Sequence, residues 1–387
     1  MNATKLALQL AIEAQNTWTG KDGLQPCPVF IIGKAGTGKT RTVEAFVKAS
    51  GKVMAEFSAS QTSPELIGGF PFGDTEARVM RMMPSDAVEP LLKAGPGKGV
   101  IFLDELPDAD PMVQSAMHAV MTHRRFGNVT CPPRTAIVAA GNPPDISTTG
   151  GQLSIPMAGR VCQLVYEDSV DDFCDALNRG FAPVEPVRLS NDWSAGWSTV
   201  AGRVSAFLSS RPSLFETTPS ASETLVGMRL GEAAPRASRR TWCNAIAFMT
   251  ACDSINFDGE ARELLVMGCV GEGTAYEYLN WERDLDLPDP EDCLTNPLIS
   301  LPKRDDLILA VCHSVTHAVV QKNSIKRFNQ ACDFFKSLVD RGFGADMACL
   351  ALRNLVQKEN IPTGMGSFPD SLKAFIPLLQ EMKMLSN

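Results

Sequence analysis

Val29-Phe30-Ile31-Ile32-Gly33-Lys34-Ala35-Gly36-Thr37-Gly38-Lys39-Thr40 is the stretch from which the fold is read. Four apolar residues suit a short buried strand, Gly-x-x-x-x-Gly-Lys-Thr suits the turn after it, and a helical run follows from Thr40 to Val47. Gly33, Gly36 and Gly38 permit backbone angles that aim successive N–H groups into one concavity. The helix behind them adds the positive end of its dipole. A triphosphate fits that concavity. Lys39 is placed to bridge β- and γ-phosphate oxygens, and Thr40 offers a hydroxyl to the Mg²⁺ that travels with ATP. The candidate nucleotide-binding set is therefore Gly33, Lys34, Ala35, Gly36, Thr37, Gly38, Lys39 and Thr40, with Arg41 beside them.

Downstream, Gly99-Val100-Ile101-Phe102-Leu103-Asp104-Glu105 reads as a buried strand whose carboxyl end presents two acids. In an open parallel sheet, ligands bind beyond the carboxyl ends of the strands, where the glycine-rich turn also sits. Asp104 is the candidate magnesium-holding acid, and Glu105 the acid that polarises an attacking water. A further apolar run, Thr135–Ala140, delivers Gly141-Asn142-Pro143-Pro144, where Asn142 could hold that water beside the γ-phosphate.

The remaining pattern supplies a doubly wound α/β frame. Strands are expected near 29–32, 52–57, 99–104, 135–140 and 161–166. Helices are expected at 3–17, 40–47 and from Asp110 to a stop at Gly127-Asn128. Residues 64–84, begun by Ser63-Pro64-Glu65 and broken by Gly68-Gly69, read as an insertion between the second and third strands. From Ala182 to Thr199 the composition shifts to Pro, Ser, Trp and Gly, as in a linker. Beyond it the periods are helical at 200–208, 240–250, 261–270 and 274–281, interrupted at Asp286–Pro290. They resume at 305–321, 326–341, 345–358 and 371–384. Three segments follow: a nucleotide-binding core at 1–180, a linker and helical lid at 181–292, and a C-terminal helical region at 293–387.

Composition excludes several classes. The chain of 387 residues is 44% hydrophobic and 21% charged, ordinary for a globular protein, and no apolar run approaches a membrane span. Eleven scattered cysteines without a Cys-x-x-Cys pair argue for reduced thiols and a cytoplasmic setting. A net charge of −8 disfavours a nucleic-acid partner. His313 and His317 are spaced i, i+4 with Cys312 just before them, but without a third ligand they read as core or surface histidines. Met80, Met82 and Met83 suit either core filling or a flexible partner-binding surface.

With these residues in place, the chain resembles the AAA+ ATPases of the MoxR group, which act beside von Willebrand factor A domain proteins. The resemblance rests on 33–40, 100–108, the Asp110–Gly127 helix, 139–145 and 153–164. It continues more loosely through Ser238-Arg239-Arg240-Thr241-Trp242 and Val270-Gly271-Glu272-Gly273. It implies an AAA+ core, an all-α lid, ATP and Mg²⁺ as cofactors, a homo-oligomeric hexameric ring and a protein client. It also implies roles. Asn142 resembles the sensor-1 residue, and Arg160 resembles the arginine finger that reaches the neighbouring subunit's nucleotide, although it sits between Gly159 and Val161 rather than before an aromatic. Arg240, with Arg236 and Arg239 close by, resembles the sensor-2 arginine that contacts the γ-phosphate within its own subunit. Residues 64–84 resemble the helix-2 insertion that projects to the ring's axial surface. The competing readings are a nucleotide-switched scaffold with incidental hydrolysis, and a nucleic-acid motor or loader.

Overall fold

The computed structural model describes residues 2–381 apart from 22, 145–151, 168, 179, 181–184, 219–223, 226–227, 284–287, 303 and 358–359. Helix α1 (Ala3–Thr17) opens the chain, started by the Asn2 side chain accepting the Thr4 N–H at 2.8 Å. Strand β1 (Val29–Ile32), helix α2 (Lys39–Ala49) and strand β2 (Val53–Ser58) follow. The segment expected as an insertion is helix α3 (Pro64–Gly68) and an antiparallel hairpin of β3 (Phe70–Asp74) with β4 (Val79–Met83). Helix α4 (Glu89–Ala94) leads into β5 (Gly99–Asp104), helix α5 (Pro111–His123) and a small hairpin of β6 (Arg125–Phe126) with β7 (Val129–Thr130). Then come β8 (Ala136–Gly141), α6 (Ile155–Ala158), β9 (Cys162–Val165) and α7 (Val170–Asn178). Helix α8 (Trp197–Ser210) and the two-residue strands β10 (Thr224–Leu225) and β11 (Met228–Arg229) precede α9 (Arg239–Ser254), α10 (Glu260–Val270) and α11 (Glu272–Arg283). The C-terminal helices are α12 (Pro290–Thr295), α13 (Asp305–Gln321), α14 (Ile325–Asp340), α15 (Ala345–Leu355), α16 (Asp370–Lys373) and α17 (Ile376–Glu381).

All five expected strands join one parallel sheet in the order β2-β5-β8-β1-β9. Every residue of β1, β8 and β9 is buried, because helices cover both faces. That burial explains why these strands read as continuous apolar runs. Each large side chain so buried contributes about 1.5–3 kcal/mol.

By contacts the chain forms two compact units: residues 1–194 with 215–276, and residues 195–214 with 277–387. The first unit is organised by α1, which packs on β8, α9 and α10. Its polar residues stitch it to the sheet. Asn16 donates to the Gly99 and Arg134 carbonyls at 3.0 and 2.7 Å, and Gln15 accepts the Ile137 N–H at 2.9 Å. Helix α10 lies directly on β9, since a Cβ on Gly268 would stand 2.2 Å from the Gln163 carbonyl oxygen. The helices α9 and α10, within the segment expected as linker and lid, thus share a unit with the sheet.

Two expected elements are corrected. Helix α5 stops at His123 rather than Gly127, because Arg124 turns left-handed at φ 50°. Gly127-Asn128 is instead the two-residue turn between β6 and β7, where only a glycine clears the Gly68 carbonyl (2.3 Å from an added Cβ). The expected 371–384 helix is two pieces, α16 and α17, and its end beyond Glu381 lies outside the described residues. So do Asp145, Ala182–Val184, Asp286–Leu287 and Lys358 of the expected segments.

In the second unit α8 packs along α13, and Cys293, Cys312, Cys332 and Cys349 are buried together with Phe328, Phe334, Phe335 and Leu338. All eleven cysteines are free thiols. Among the described residues, no three His, Cys, Asp or Glu side chains are grouped to hold a metal, and no helix is long and apolar enough to cross a membrane. His313 and His317 sit in the α8–α13 contact, with the His317 ring 3.0 Å from where a Gly202 Cβ would stand.

Burial pushes both imidazoles down to about 4, and for His313 the neighbouring His317 adds to the effect. The folded state therefore holds them neutral, while the unfolded chain takes up protons below its ordinary histidine value near 6.5. Stability is unaffected above that value and falls as pH drops from there towards 4, by at most roughly 3 kcal/mol for each histidine. Denaturation of the full chain between pH 7 and 4 should show this decline, with a shallower slope in a His313→Gln/His317→Gln variant. Parallel pH profiles for parent and variant would contradict the assignment.

Candidate functional site

The carboxyl edge of the sheet is set by strand register. Ile32 of β1 stands opposite Gly141 of β8 and Val165 of β9, while Ser58 of β2 stands opposite Asp104 of β5. The turns leaving these strands therefore open side by side. In the turn between β1 and α2, Gly33 donates its N–H to the Gly141 carbonyl at 3.2 Å. A Cβ on Gly33 would stand 2.5 Å from the Tyr166 carbonyl oxygen, so this glycine is demanded by close packing. Gly36 and Gly38 are demanded by conformation, with φ of 81° and 84°, and open space surrounds the position of an added Cβ at each. The amides between them line a cradle with room for a ligand.

Lys39, the first residue of α2, is almost fully buried. Its amine donates to the Gly33 and Lys34 carbonyls at 2.7 and 3.0 Å and to the Asn142 Oδ1 at 3.4 Å. Burial pulls its pKa below the usual lysine range, opposed by the Asp104 and Glu105 carboxylates. The hydrogen bonds it makes among the described residues are all to neutral oxygens, the acceptors that an anionic phosphate readily displaces. Thr37 closes the loop through its hydroxyl to the Lys34 carbonyl at 2.8 Å. Arg41 points elsewhere, pairing with Glu44 at 3.0 Å on the surface.

Thr40 donates its hydroxyl to Asp104 Oδ2 at 2.9 Å, and Asp104 Oδ1 accepts the Glu105 N–H at 2.9 Å. Hydroxyl and carboxylate oxygens so paired are the hard ligands a magnesium ion prefers, and they fit the ion that accompanies ATP. Glu105 itself adopts a left-handed backbone (φ 55°, ψ 33°), a costly conformation for a non-glycine residue and one that clusters at functional sites. Its Oε2 accepts hydrogen bonds from Ser58 at 3.4 Å and from Ser60 at close range. Asn142 follows β8 directly and faces Lys39. The fold therefore brings together Gly33–Thr40, Asp104, Glu105 and Asn142.

Arg160 and Arg240 form a different grouping. Arg160 follows α6, which packs on the 231–233 turn just upstream of α9, and Arg240 is the second residue of α9. Arg160 donates to the Pro156 carbonyl. Burial, then the nearby charge of Arg240, lowers its pKa. The two expected arginines lie within charge range of each other.

Sequence reasoning missed Ser58 and Ser60. The available signal was topological: residues leaving the carboxyl end of β2, neighbour of β5, must face the strand that ends in Asp104-Glu105. The exposed apolar side chains of the insertion hairpin, Phe70, Phe72, Val79, Met80 and Met83, fall on a surface rather than in the core.

The family profile of the AAA domain, dynein-related subfamily, matches residues 28–155. No curated protein matches the chain. Among solved structures, a crystal structure described as a "putative ATPase" from Cytophaga hutchinsonii is similar at 14% identity and a TM-score of 0.41, over 68% of this chain and 79% of that one.

Because Gly33 has no room for a methyl group against main chain, Gly33→Ala should cost about 1–3 kcal/mol and weaken ATP binding. Thermal unfolding and ATP titration check this. An unchanged melting temperature with unchanged affinity would show that the turn yields freely.

Proposed function

Its residues 28–155 being an AAA domain of the dynein-related subfamily, this chain is an AAA+ ATPase, and we propose that it is a MoxR-type machine that hydrolyses ATP with Mg²⁺ to remodel or activate a protein complex. The observation that carries the reading is the convergence of Lys39, Thr40, Asp104 and Glu105 on one cradle. The resemblance adds a hexameric ring, a cytoplasmic setting and a von Willebrand factor A domain partner; the hairpin's exposed apolar residues supply a surface that suits a protein client.

In this reading the loop amides and the Lys39 amine receive the β- and γ-phosphates, Lys39 exchanging its carbonyl acceptors for phosphate oxygens. Thr40 and Asp104 hold Mg²⁺, which when bound supplies charge neutralisation on those oxygens. Glu105 and Asn142 orient water in line with the γ-phosphorus. A bond forms from the water oxygen to that phosphorus as the bond to the β–γ bridging oxygen breaks, giving ADP and inorganic phosphate. Glu105 accepts the water proton on its way to phosphate or solvent. Ser58 and Ser60 fix the direction of the Glu105 carboxylate before water arrives. Arg160 acts on the nucleotide of the neighbouring subunit and so couples turnover to assembly, while Arg240, to which the resemblance gives its own subunit's γ-phosphate, lies within charge range of Arg160.

Glu105→Gln should keep ATP affinity and lower turnover by about 10²–10⁴-fold; undiminished phosphate release would remove Glu105 from the mechanism. Arg160→Ala should lose about 10³-fold in turnover and recover part of it on mixing with Glu105→Gln subunits, which offer an intact arginine to the defective neighbour. If the single variant hydrolyses ATP normally, the arginine acts elsewhere.

A further inference from the structure

We propose that Tyr166 is a positioning residue for the nucleotide: its main chain holds one end of the loop that receives the triphosphate, and its hydroxyl, through Thr42, holds the other. The inference rests on the reading of Gly33–Thr40 as an ATP cradle. It adds a residue beyond the 28–155 span that the family profile matches, and no motif in the sequence singles it out.

Strand register brings Tyr166 to the loop. Val165 ends β9 opposite Ile32, the last residue of β1, so the two chains leave the sheet at one level. Tyr166 donates its N–H to the Ile32 carbonyl at 2.7 Å. Its own carbonyl oxygen and Cβ stand 2.5 and 3.2 Å from where a Gly33 Cβ would be, so its main chain closes against the first residue of the loop. One residue further on, the Glu167 carbonyl accepts the Asn2 side-chain amide at 3.0 Å, which ties this segment to the cap of α1. Tyr166 is fully buried, and its hydroxyl meets that of Thr42 on α2 at 2.5 Å.

Thr42 is where α2 first closes on itself. Its N–H donates to the Gly38 carbonyl at 2.9 Å, Gly38 being the residue that caps the helix. The N–H groups of Lys39, Thr40 and Arg41 precede that bond and have no partner within the helix, and such groups are the ones that receive an anion. A hold on Thr42 therefore sets the direction of the first-turn amides, while the contact at Gly33 sets the opposite end of the cradle. Between these anchors the loop is only lightly tied. Open space surrounds Gly36 and Gly38, and the side-chain bonds within the loop come from Thr37 and Lys39. The Lys39 bonds are given up when its amine turns to phosphate. The Tyr166–Thr42 bond involves no group that the phosphate takes, so it keeps the cradle's shape before and after ATP arrives. A loop without that bond must be ordered at the expense of binding.

The test measures affinity for MgATP in the full chain carrying Glu105→Gln. Tyr166→Phe, which keeps the ring, should weaken binding about tenfold, and Thr42→Val should do the same. The double variant should also lose about tenfold and not a hundredfold, because both changes remove the same bond. Thr42→Ser, which keeps the hydroxyl, should bind within threefold of the parent. In chains that retain Glu105, the loss from Tyr166→Phe should appear in KM and not in kcat. Parent-like affinity in Tyr166→Phe, or a hundredfold loss in the double variant, overturns the proposal. So does a lowered melting temperature with unchanged affinity, the mark of a bond that serves stability alone. Lys39→Ala is the control for the cradle: if it abolishes binding while Tyr166→Phe binds normally, the proposal falls and the ATP reading stands. If Lys39→Ala binds ATP like the parent, both fall. Should Tyr166→Phe misfold by circular dichroism, Thr42→Val against Thr42→Ser decides: a tenfold gap upholds the proposal and equal affinities overturn it.

Discussion

Parallel pairing of β5, β8 and β1, in a fixed register, is the constraint on which the site depends. Because Ile32 stands opposite Gly141 and Leu103 opposite Ala139, the chain leaves three strands at one level. Gly33 then meets Gly141 through the main chain, Lys39 reaches Asn142, and Thr40 reaches Asp104. A one-residue slip of a strand would turn each of its side chains to the opposite face, and the buried runs Val29–Ile32 and Ala136–Gly141 resist such a slip because helices cover both faces. The energy that holds the chemistry in place is thus ordinary apolar burial several residues away from it. The strained features, left-handed Glu105 and the positive-φ glycines, are carried by that frame.

A second constraint comes from α1. By filling the groove between β8 and the helices α9 and α10, and by donating Asn16 to two carbonyls at the amino edge of the sheet, it joins those helices to the core. Gly268 against the Gln163 carbonyl completes the contact. Arg240 therefore rides on the same unit as Arg160. The pair is thus a feature of one unit and not a product of domain closure.

The core was legible because its signals are local. An apolar tetrapeptide before a glycine-lysine-threonine turn has few structural solutions, and Asp104-Glu105 at the end of an apolar run follows the same logic in the next strand but one of the sheet. What escaped depends on tertiary neighbours. Ser58 and Ser60 are unremarkable serines until β2 is known to lie beside β5. The misplaced end of α5 has a local cause: Gly127-Asn128 suits a helix stop and a hairpin turn equally, and the contact of Gly127 with Gly68 selects the second. The pairing of Arg160 with Arg240 likewise required the packing of α6 on the 231–233 turn.

The most direct measurement is an experimental structure of the Glu105→Gln form with ATP and Mg²⁺. The account predicts the triphosphate in the Gly33–Thr40 cradle, the Lys39 amine moved from the Gly33 and Lys34 carbonyls onto phosphate oxygens, and the Thr40 hydroxyl and Asp104 turned to the metal. Nucleotide bound elsewhere, or a Lys39 amine still held by its two carbonyls with ATP present, would contradict it.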